Sequence, residues 1–378
     1  MIKIKCGLCM RDQLIINARF TTQQLTGVQR YAFEICRRLP SSGIRLISPR
    51  SIELEYRQLK DFTIVDPIGK FAHKSGLSHL WEQFALPRWI SKDGLLWSPC
   101  GSGPLAVKNQ VVTIHDIATL EHPEWFNPWF AKWYSFLIPR LVRAVKKVIV
   151  VSEYTKIRLT EMTGISPEKI EVIYNGIDER FSPKSKEEIN IAQKLLSLPS
   201  DKYILSLSSL EPRKNLHRLL EAWNIICHKL PKDIWLVLAG GKGKSTVFKN
   251  LSFDSLPPRV YFTGYVPDEH LPALYSGAIA FAYVSLYEGF GLPPLEAMAC
   301  GAPVITSNIT SIPEVVGDAA ILVNPHDVKE IADSIYKLID DVTFRERLKL
   351  TGLNRTKLFS WDKTARQTWK LLYSVMEE

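Results

Sequence analysis

Short apolar runs alternate with helix-length stretches along nearly the whole chain, and the alternation runs through twice. Each helix in such a pattern returns the chain to the edge where the next strand starts. The strands therefore lie parallel and the architecture is α/β. In the first series Leu14-Ile-Ile-Asn17 reads as a strand, and 27–39 as a helix with Val28, Tyr31, Ala32, Ile35 and Leu39 at helical spacing. Segments 111–114, 147–151 and 170–173 read as further strands, the first ending at His115-Asp116 and the last at Asn175-Gly176. The polar, lysine-rich stretch 178–194 carries Pro183 and no strand pattern, and reads as a linker. A second series then opens with a strand at 203–207, a loop at 208–215 and a helix from 216 to about 229. Strands at 235–239, 260–263, 278–282, 303–306 and 320–323 follow. At 378 residues the chain exceeds one ordinary core. The expectation is two doubly wound, Rossmann-like domains, 1–183 and 184–360, with a final helix in 361–378 packing back on the first.

Composition narrows the class of function. The apolar fraction of 46% describes a soluble globular protein. Uncharged runs such as 271–287 contain Gly and Pro and fall short of a bilayer span. The N-terminus, Met1-Ile-Lys-Ile-Lys5, lacks the apolar core of a signal peptide. A cytoplasmic protein is expected, at most resting on the inner face of the plasma membrane. Six scattered cysteines make no disulfide framework, and Cys6-Gly-Leu-Cys9 is a lone C-x-x-C without a second pair. The net charge of +9 is concentrated early: residues 1–183 hold 25 Lys+Arg against 17 Asp+Glu, or +8. Such a half suits an anionic partner, or is simply a solvated basic face.

Two segments carry chemistry. In Glu288-Gly-Phe-Gly-Leu-Pro-Pro-Leu-Glu296 the first glutamate follows a strand, at the carboxyl end where open α/β sheets bind ligands. Gly289 and Gly291 allow close backbone approach, Pro293 and Pro294 suit a helix start, and Gly301 suits its stop. The helix start is a ready anion site, and Glu296, one turn inside, is placed to accept hydrogen bonds from a ribose diol. The second segment is Glu211-Pro-Arg-Lys-Asn215, in which Arg213 and Lys214 offer a fork and a point charge to a diphosphate. Fixed cations there would take the place of Mg²⁺, and the chain has no D-x-D motif, so no metal is expected.

These segments, with Leu238-Ala-Gly-Gly241, Phe262-Thr-Gly-Tyr-Val266 and Ile312-Pro-Glu-Val-Val-Gly317, resemble the family 4 retaining glycosyltransferases of the GT-B fold. Thr26-Gly-Val-Gln-Arg-Tyr31, Thr113-Ile-His-Asp116, Val151-Ser-Glu153 and Asn175-Gly-Ile-Asp178 extend the resemblance over nearly the whole chain. It implies two Rossmann-like domains facing across a cleft, the first for the acceptor and the second for a nucleotide sugar. By resemblance Arg213 and Lys214 grip the donor diphosphate, Glu288 holds hydroxyls of the transferred sugar, and Glu296 holds the ribose. Gly289 and the N–H groups of Phe290, Gly291 and Leu292 contact sugar and phosphate, and Tyr265 and Val266 lie against the base. Gly27 lets the first domain's helix approach the diphosphate, although many relatives have two glycines where this chain has Thr26-Gly27. His115 would stabilise positive charge at the anomeric carbon through its ring or carbonyl, with a general-base role as the lesser alternative. Asp116 either binds the acceptor or caps the following turn.

The expected reaction moves a hexose or deoxyhexose, mannose first, from a GDP- or UDP-linked donor to a hydroxyl of a growing saccharide, with no further cofactor. A cell-surface polysaccharide or lipopolysaccharide, its acceptor lipid-linked, would suit the basic surface. A nucleotide-dependent oxidoreductase would need G-x-G-x-x-G after 14–17, which is absent. No nucleic-acid module is seen, so no nucleic-acid partner is expected. A catalytically silent nucleotide-sugar-binding subunit is the remaining alternative. Segment 129–147 has two apolar rows broken by Lys132, Arg140, Arg143, Lys146 and Lys147. It reads as a helix packed on the first sheet, or as one that touches anionic lipid; core packing is the preferred reading.

Overall fold

The structure, a computed structural model, describes residues 14–40, 43–65, 75–207, 211–240 and 256–378. The Cys6–Cys9 pair, the start of the 208–215 loop and Gly241 lie outside them. The chain divides into two compact units, Met1–Gly176 with Trp361–Glu378, and Ile177–Ser360.

The first unit is built on a seven-stranded sheet. Its strands are β1 (Leu14–Asn17), β2 (Ile44–Ser48), β3 (Thr63–Val65), β4 (Leu95–Ser98), β5 (Gln110–Ile114), β6 (Lys147–Val150) and β7 (Ile170–Val172). Their order is β3-β2-β1-β4-β5-β6-β7, and every pairing is parallel. The order reverses direction between β1 and β4, so the crevice beyond their carboxyl ends is this sheet's natural ligand position. A buried polar cluster stands there. Asn17 Nδ2 donates to Glu82 Oε1 at 2.6 Å, and Ser102 Oγ donates to the same oxygen at 2.9 Å. Arg19 Nε lies 3.4 Å from that carboxylate. Burial opposes ionisation of Glu82, but Arg19 and His79 overcome it and hold its pKa below the usual carboxylate range. The network ties the ends of β1 and β4 to the helix Ser75–Phe84.

The helix Trp361–Glu377 belongs to this unit. Thr364 Oγ1 donates to the Tyr174 carbonyl at 2.7 Å, Arg38 Nε to Asp362 at 2.7 Å, and the Trp361 ring meets the edge of Tyr31 at 6.2 Å.

The second unit carries six parallel strands, β8 (Lys202–Leu207), β9 (Ile234–Ala239), β10 (Val260–Gly264), β11 (Ala280–Tyr283), β12 (Val304–Ser307) and β13 (Ala320–Val323). Their order is β10-β9-β8-β11-β12-β13, reversing between β8 and β11. The inner strands β8, β9 and β11 are mostly apolar and buried, as strands covered on both faces must be. One core cluster gathers Trp223, Leu236, Leu238 and Ile335, another Tyr203, Leu205, Phe281 and Val304.

Two readings of the sequence are corrected here. Residues 178–194, read as a linker, hold a helix as well: Ser185 and Glu188 form a capping box that opens the helix Lys186–Leu195. This helix lies so close to the turn at Gly277 that a Cβ there would sit 2.6 Å from Ile189 Cγ2. The passage between units comes before the expected 183/184 boundary. Ile177 bridges to Ser360, and Phe181 is buried in the second core, so both already belong to the second unit.

Candidate active site

The reversal between β8 and β11 brings together residues 74 apart in sequence. After β8 the chain makes a 3-10 turn, Pro212–Lys214, and leaves it through Asn215 in the left-handed region at φ 57. The Asn215 amide donates to the carbonyls of Val284, at 2.9 Å, and Pro325, at 2.7 Å. The Leu286 N–H donates to the Arg213 carbonyl at 2.7 Å. These bonds fasten the cationic turn to the segment leaving β11. A side-chain amide satisfying two buried carbonyls also accounts for a non-glycine residue in a strained conformation.

Lys214 and Glu288 meet across this junction at 2.7 Å, Nζ to Oε1. The Tyr283 hydroxyl, at the end of β11, donates to the same Oε1 at 2.8 Å and accepts from Lys214, whose ammonium lies 5.0 Å from the ring centroid. Arg213 Nη1 stands 4.0 Å from Glu288 Oε2, and its Nε pairs with Glu211. The Glu288 carbonyl accepts from Ser311 Oγ at 2.8 Å. Glu288 is buried, which by itself would raise its pKa. The charges of Lys214 and Arg213, with the hydrogen bonds from Lys214 and Tyr283, reverse this and leave it below the ordinary carboxylate value. Burial first, and then the Glu288 charge, push the Tyr283 phenol well up, so it is a neutral donor at any physiological pH. Tyr283 escaped the sequence reading: a tyrosine ending an apolar strand has no local pattern that marks it as polar machinery.

From Glu288 the backbone runs into the helix Leu292–Ala299 through Gly291 at φ +106, a conformation that L side chains avoid. A Cβ there would also meet Ile312 Cδ1 at 2.6 Å. Gly291→Ala is therefore expected to destabilise the protein by about 1–2 kcal/mol and lower its melting temperature by roughly 3–6 °C, read by calorimetry. The helix stops in a Schellman arrangement: the Gly301 N–H bonds the Met298 carbonyl at 3.0 Å and the Ala302 N–H bonds that of Ala297 at 2.9 Å. The expectation of a donor-rich helix start needs correction. Pro293 and Pro294 occupy its first turn and carry no N–H, so the helix start offers fewer donors than an ordinary one. Phe290 is buried with its ring 5.8 Å from that of Phe359, which fixes the bend.

Glu296 lies on the same helix, its Oε2 accepting from the Tyr275 hydroxyl at 3.4 Å. Beyond β10, Tyr265 is 77% exposed while Val266 is 9% exposed and part of the core. Of the pair only the Tyr265 ring is open to solvent; the Val266 side chain packs into the core. Arg213, Lys214, Tyr283 and Glu288 thus meet at the β8–β11 switch point; Gly289, Phe290 and Gly291 follow Glu288 along the chain, and Leu292 and Glu296 lie in the helix Leu292–Ala299 that they lead into.

His115, Asp116 and Gly27 lie in the first unit. His115 follows β5, and its Nε2 lies 2.7 Å from the Pro99 carbonyl, so that nitrogen carries the proton and donates. Burial lowers its pKa from 6.5, more than the Pro99 contact and Asp116 raise it. The ring is neutral at pH 7, so any stabilisation of a cationic anomeric carbon comes from dipoles or carbonyl oxygens. If the neutral ring is needed, the acid limb of a kcat profile should fall below pH 6.5, and His115→Asn should remove that limb. Asp116 Oδ1 accepts the Ala118 N–H at 3.1 Å, the capping role. Gly27 opens the helix Gly27–Cys36, whose N-cap Thr26 gives no side-chain cap. The Tyr31 ring of that helix packs edge-on to His115 at 4.7 Å.

Two family models match the chain, "Glycosyltransferase Family 4" over residues 25–181 and "Glycosyl transferases group 1" over residues 187–355. O-antigen chain mannosyltransferase B of Escherichia coli is 30% identical over 92% of this chain and 97% of its own length. The serotype-specific mannosyltransferase WbdA of Escherichia coli is 35% identical over 68% of this chain, but that match spans only 32% of WbdA. Among solved structures, Anabaena HepE in complex with UDP and glucose superposes with a TM-score of 0.73 at 18% identity, covering 96% of this chain and 100% of that one. WaaG, a glycosyltransferase involved in lipopolysaccharide biosynthesis, gives 0.72 at 14% identity, covering 95% and 99%. At such identities the likeness shows the fold, which is GT-B. The chain belongs to the family 4, group 1 glycosyltransferases.

Proposed function

We propose that the chain is a retaining, metal-independent mannosyltransferase. Its donor is a nucleotide diphosphate sugar, GDP- or UDP-linked, and its acceptor a hydroxyl of a growing cell-surface polysaccharide of the O-antigen kind. The observation that carries the reading is the Lys214–Glu288–Tyr283 cluster with Arg213 at the β8–β11 switch point. The sugar is suggested by the names of the two relatives above.

In this reading the anomeric C–O bond breaks as charge builds on the leaving diphosphate. Lys214 has three N–H donors; Glu288 and Tyr283 take two, and the third is directed to a phosphate oxygen, alongside Arg213. These two cations do the work that Mg²⁺ does in other sugar transferases, so no cofactor is called for. Glu288 Oε2 accepts a hydroxyl of the sugar, Glu296 the ribose diol, and the Tyr265 ring covers the base. The acceptor oxygen attacks the face that the phosphate leaves, and its proton passes to the departing phosphate oxygen. A carboxylate paired with Lys214 and hydrogen-bonded to Tyr283 is a poor nucleophile, which favours this route over a glycosyl-enzyme intermediate. A trapped adduct on Glu288 would overturn it.

The test is nucleotide release from UDP-, GDP- and dTDP-sugars, with and without EDTA, by the wild type and Glu296→Ala. GDP-mannose or UDP-mannose cleaved in EDTA and spared by the variant is the expected result. Binding of a donor without turnover, once acceptor glycans are supplied, would instead favour a silent nucleotide-sugar-binding subunit. Cleavage only with divalent metal would refute metal independence, and a product of inverted anomeric configuration would refute retention.

A further inference from the structure

The helix Pro128–Ala144 in the first unit has a solvent face that its packing does not explain. Ala131, Leu137, Ile138, Leu141 and Val142 face inward, and most of them join the core beneath β5 and β6. The preferred reading of this segment as a core helix therefore covers one face only. Turning the wheel by half, the outer face carries Trp129, Lys132, Phe136, Arg140 and Arg143, with no acidic residue anywhere in the helix. Trp129 is 81% exposed, Phe136 45%, and Phe130 beside them 42%. An ordinary surface helix would show mixed charges there, and three large exposed aromatics so close together are costly in water.

The cations are placed among the rings. The Arg140 guanidinium lies 3.9 Å from the Phe136 ring centroid and the Lys132 ammonium 5.7 Å from that of Trp129. Phe126, Phe130 and Tyr134 form a ladder alongside, with centroids 5.9 and 4.5 Å apart. The nearest acid in sequence, Glu124, is hydrogen-bonded to His122 at 3.1 Å. Aromatic side chains that enter the interfacial layer of a bilayer, with long cations reaching the phosphates beside them, have this chemistry. The basic excess of residues 1–183, 25 Lys+Arg against 17 Asp+Glu, supplies the longer-range attraction to a negative surface. No helix among the described residues is long and apolar enough to cross a membrane.

We infer that the outer face of Pro128–Ala144 docks the protein on an anionic lipid surface, with Trp129, Phe130 and Phe136 inserted and Lys132 and Arg140 paired with lipid phosphates. The inference stands apart from the choice of sugar and mechanism. It is tested by flotation of the full chain with vesicles of phosphatidylcholine alone, or with about a third phosphatidylglycerol. Wild type should float with the anionic vesicles and not the neutral ones, and about 0.5 M NaCl should release it. Lys132→Glu with Arg140→Glu should weaken the binding more than about twentyfold, and Trp129→Ser with Phe136→Ser should abolish it. Both double variants should keep the wild-type melting temperature and donor turnover, which separates lost docking from lost folding. No flotation of wild type with anionic vesicles, or flotation unaffected by both double variants, would overturn the inference. A dimer in sedimentation velocity that Trp129→Ser dissolves, from a protein that does not float, would assign the face to a second copy of the chain.

Discussion

Lys214→Ala is expected to lower kcat for sugar transfer about a thousandfold, the size of effect seen when one preorganised charge donor is removed from a developing oxyanion. The ammonium is held by Glu288 and Tyr283 before any donor arrives, so it needs no rearrangement as the anomeric bond breaks. Its attraction grows with the charge on the leaving diphosphate, and the loss should therefore fall on kcat more than on the donor KM. Lys214→Arg should recover little. A planar guanidinium cannot satisfy Glu288 Oε1 and the Tyr283 hydroxyl from a point above the ring and still present a donor to phosphate. Steady-state kinetics with the donor identified in EDTA would check both variants. An increase in KM with kcat intact would mean that Lys214 binds the ground state and the transition state equally, and the leaving-group role would be withdrawn.

Much of this site could be read from sequence because its parts are local. Glu288, Gly291, Glu296 and Gly301 lie in one strand-bend-helix unit, and each residue type has its own reason at its own step. Arg213 and Lys214 were legible for the same reason, as adjacent cations after a strand. What the sequence does not display is adjacency through the sheet. The strand order that sets β8 beside β11 decides that Lys214 reaches Glu288, and no spacing along the chain encodes it. Tyr283 and Asn215 were missed on those grounds, since their partners come from remote strands or loops. β2 and β4, strands of five and four residues with only three apolar positions each, were passed over because such short segments do not distinguish strand from buried helix. The helix Lys186–Leu195 was hidden by its lysines and glutamates, although its capping box was in plain view. In the first unit, no local pattern singles out Arg19 and Glu82, which folding buries as a pair.

Glu288→Gln should reduce both activity and stability, and pH separates the two. Removing the carboxylate leaves Lys214 largely enclosed without its counter-charge, and losing one member of a buried pair costs about 3 kcal/mol. That corresponds to a fall of roughly 6–12 °C in melting temperature for a unit of this size. The direction with pH follows from the depressed pKa of Glu288. A carboxyl whose folded pKa lies below its unfolded value contributes stability that is fully present above the unfolded pKa, about 4.3, and is lost as pH falls through the folded value. The stability gap between wild type and Glu288→Gln should therefore be flat above about pH 5 and narrow in more acidic solution. Chemical denaturation across that range would measure it. A gap that instead widened toward acid would mean that Glu288 is more easily protonated when folded than when unfolded. The attraction of Lys214 and Arg213 would then be too weak to offset burial, and the same weakness would undercut their proposed grip on the donor diphosphate.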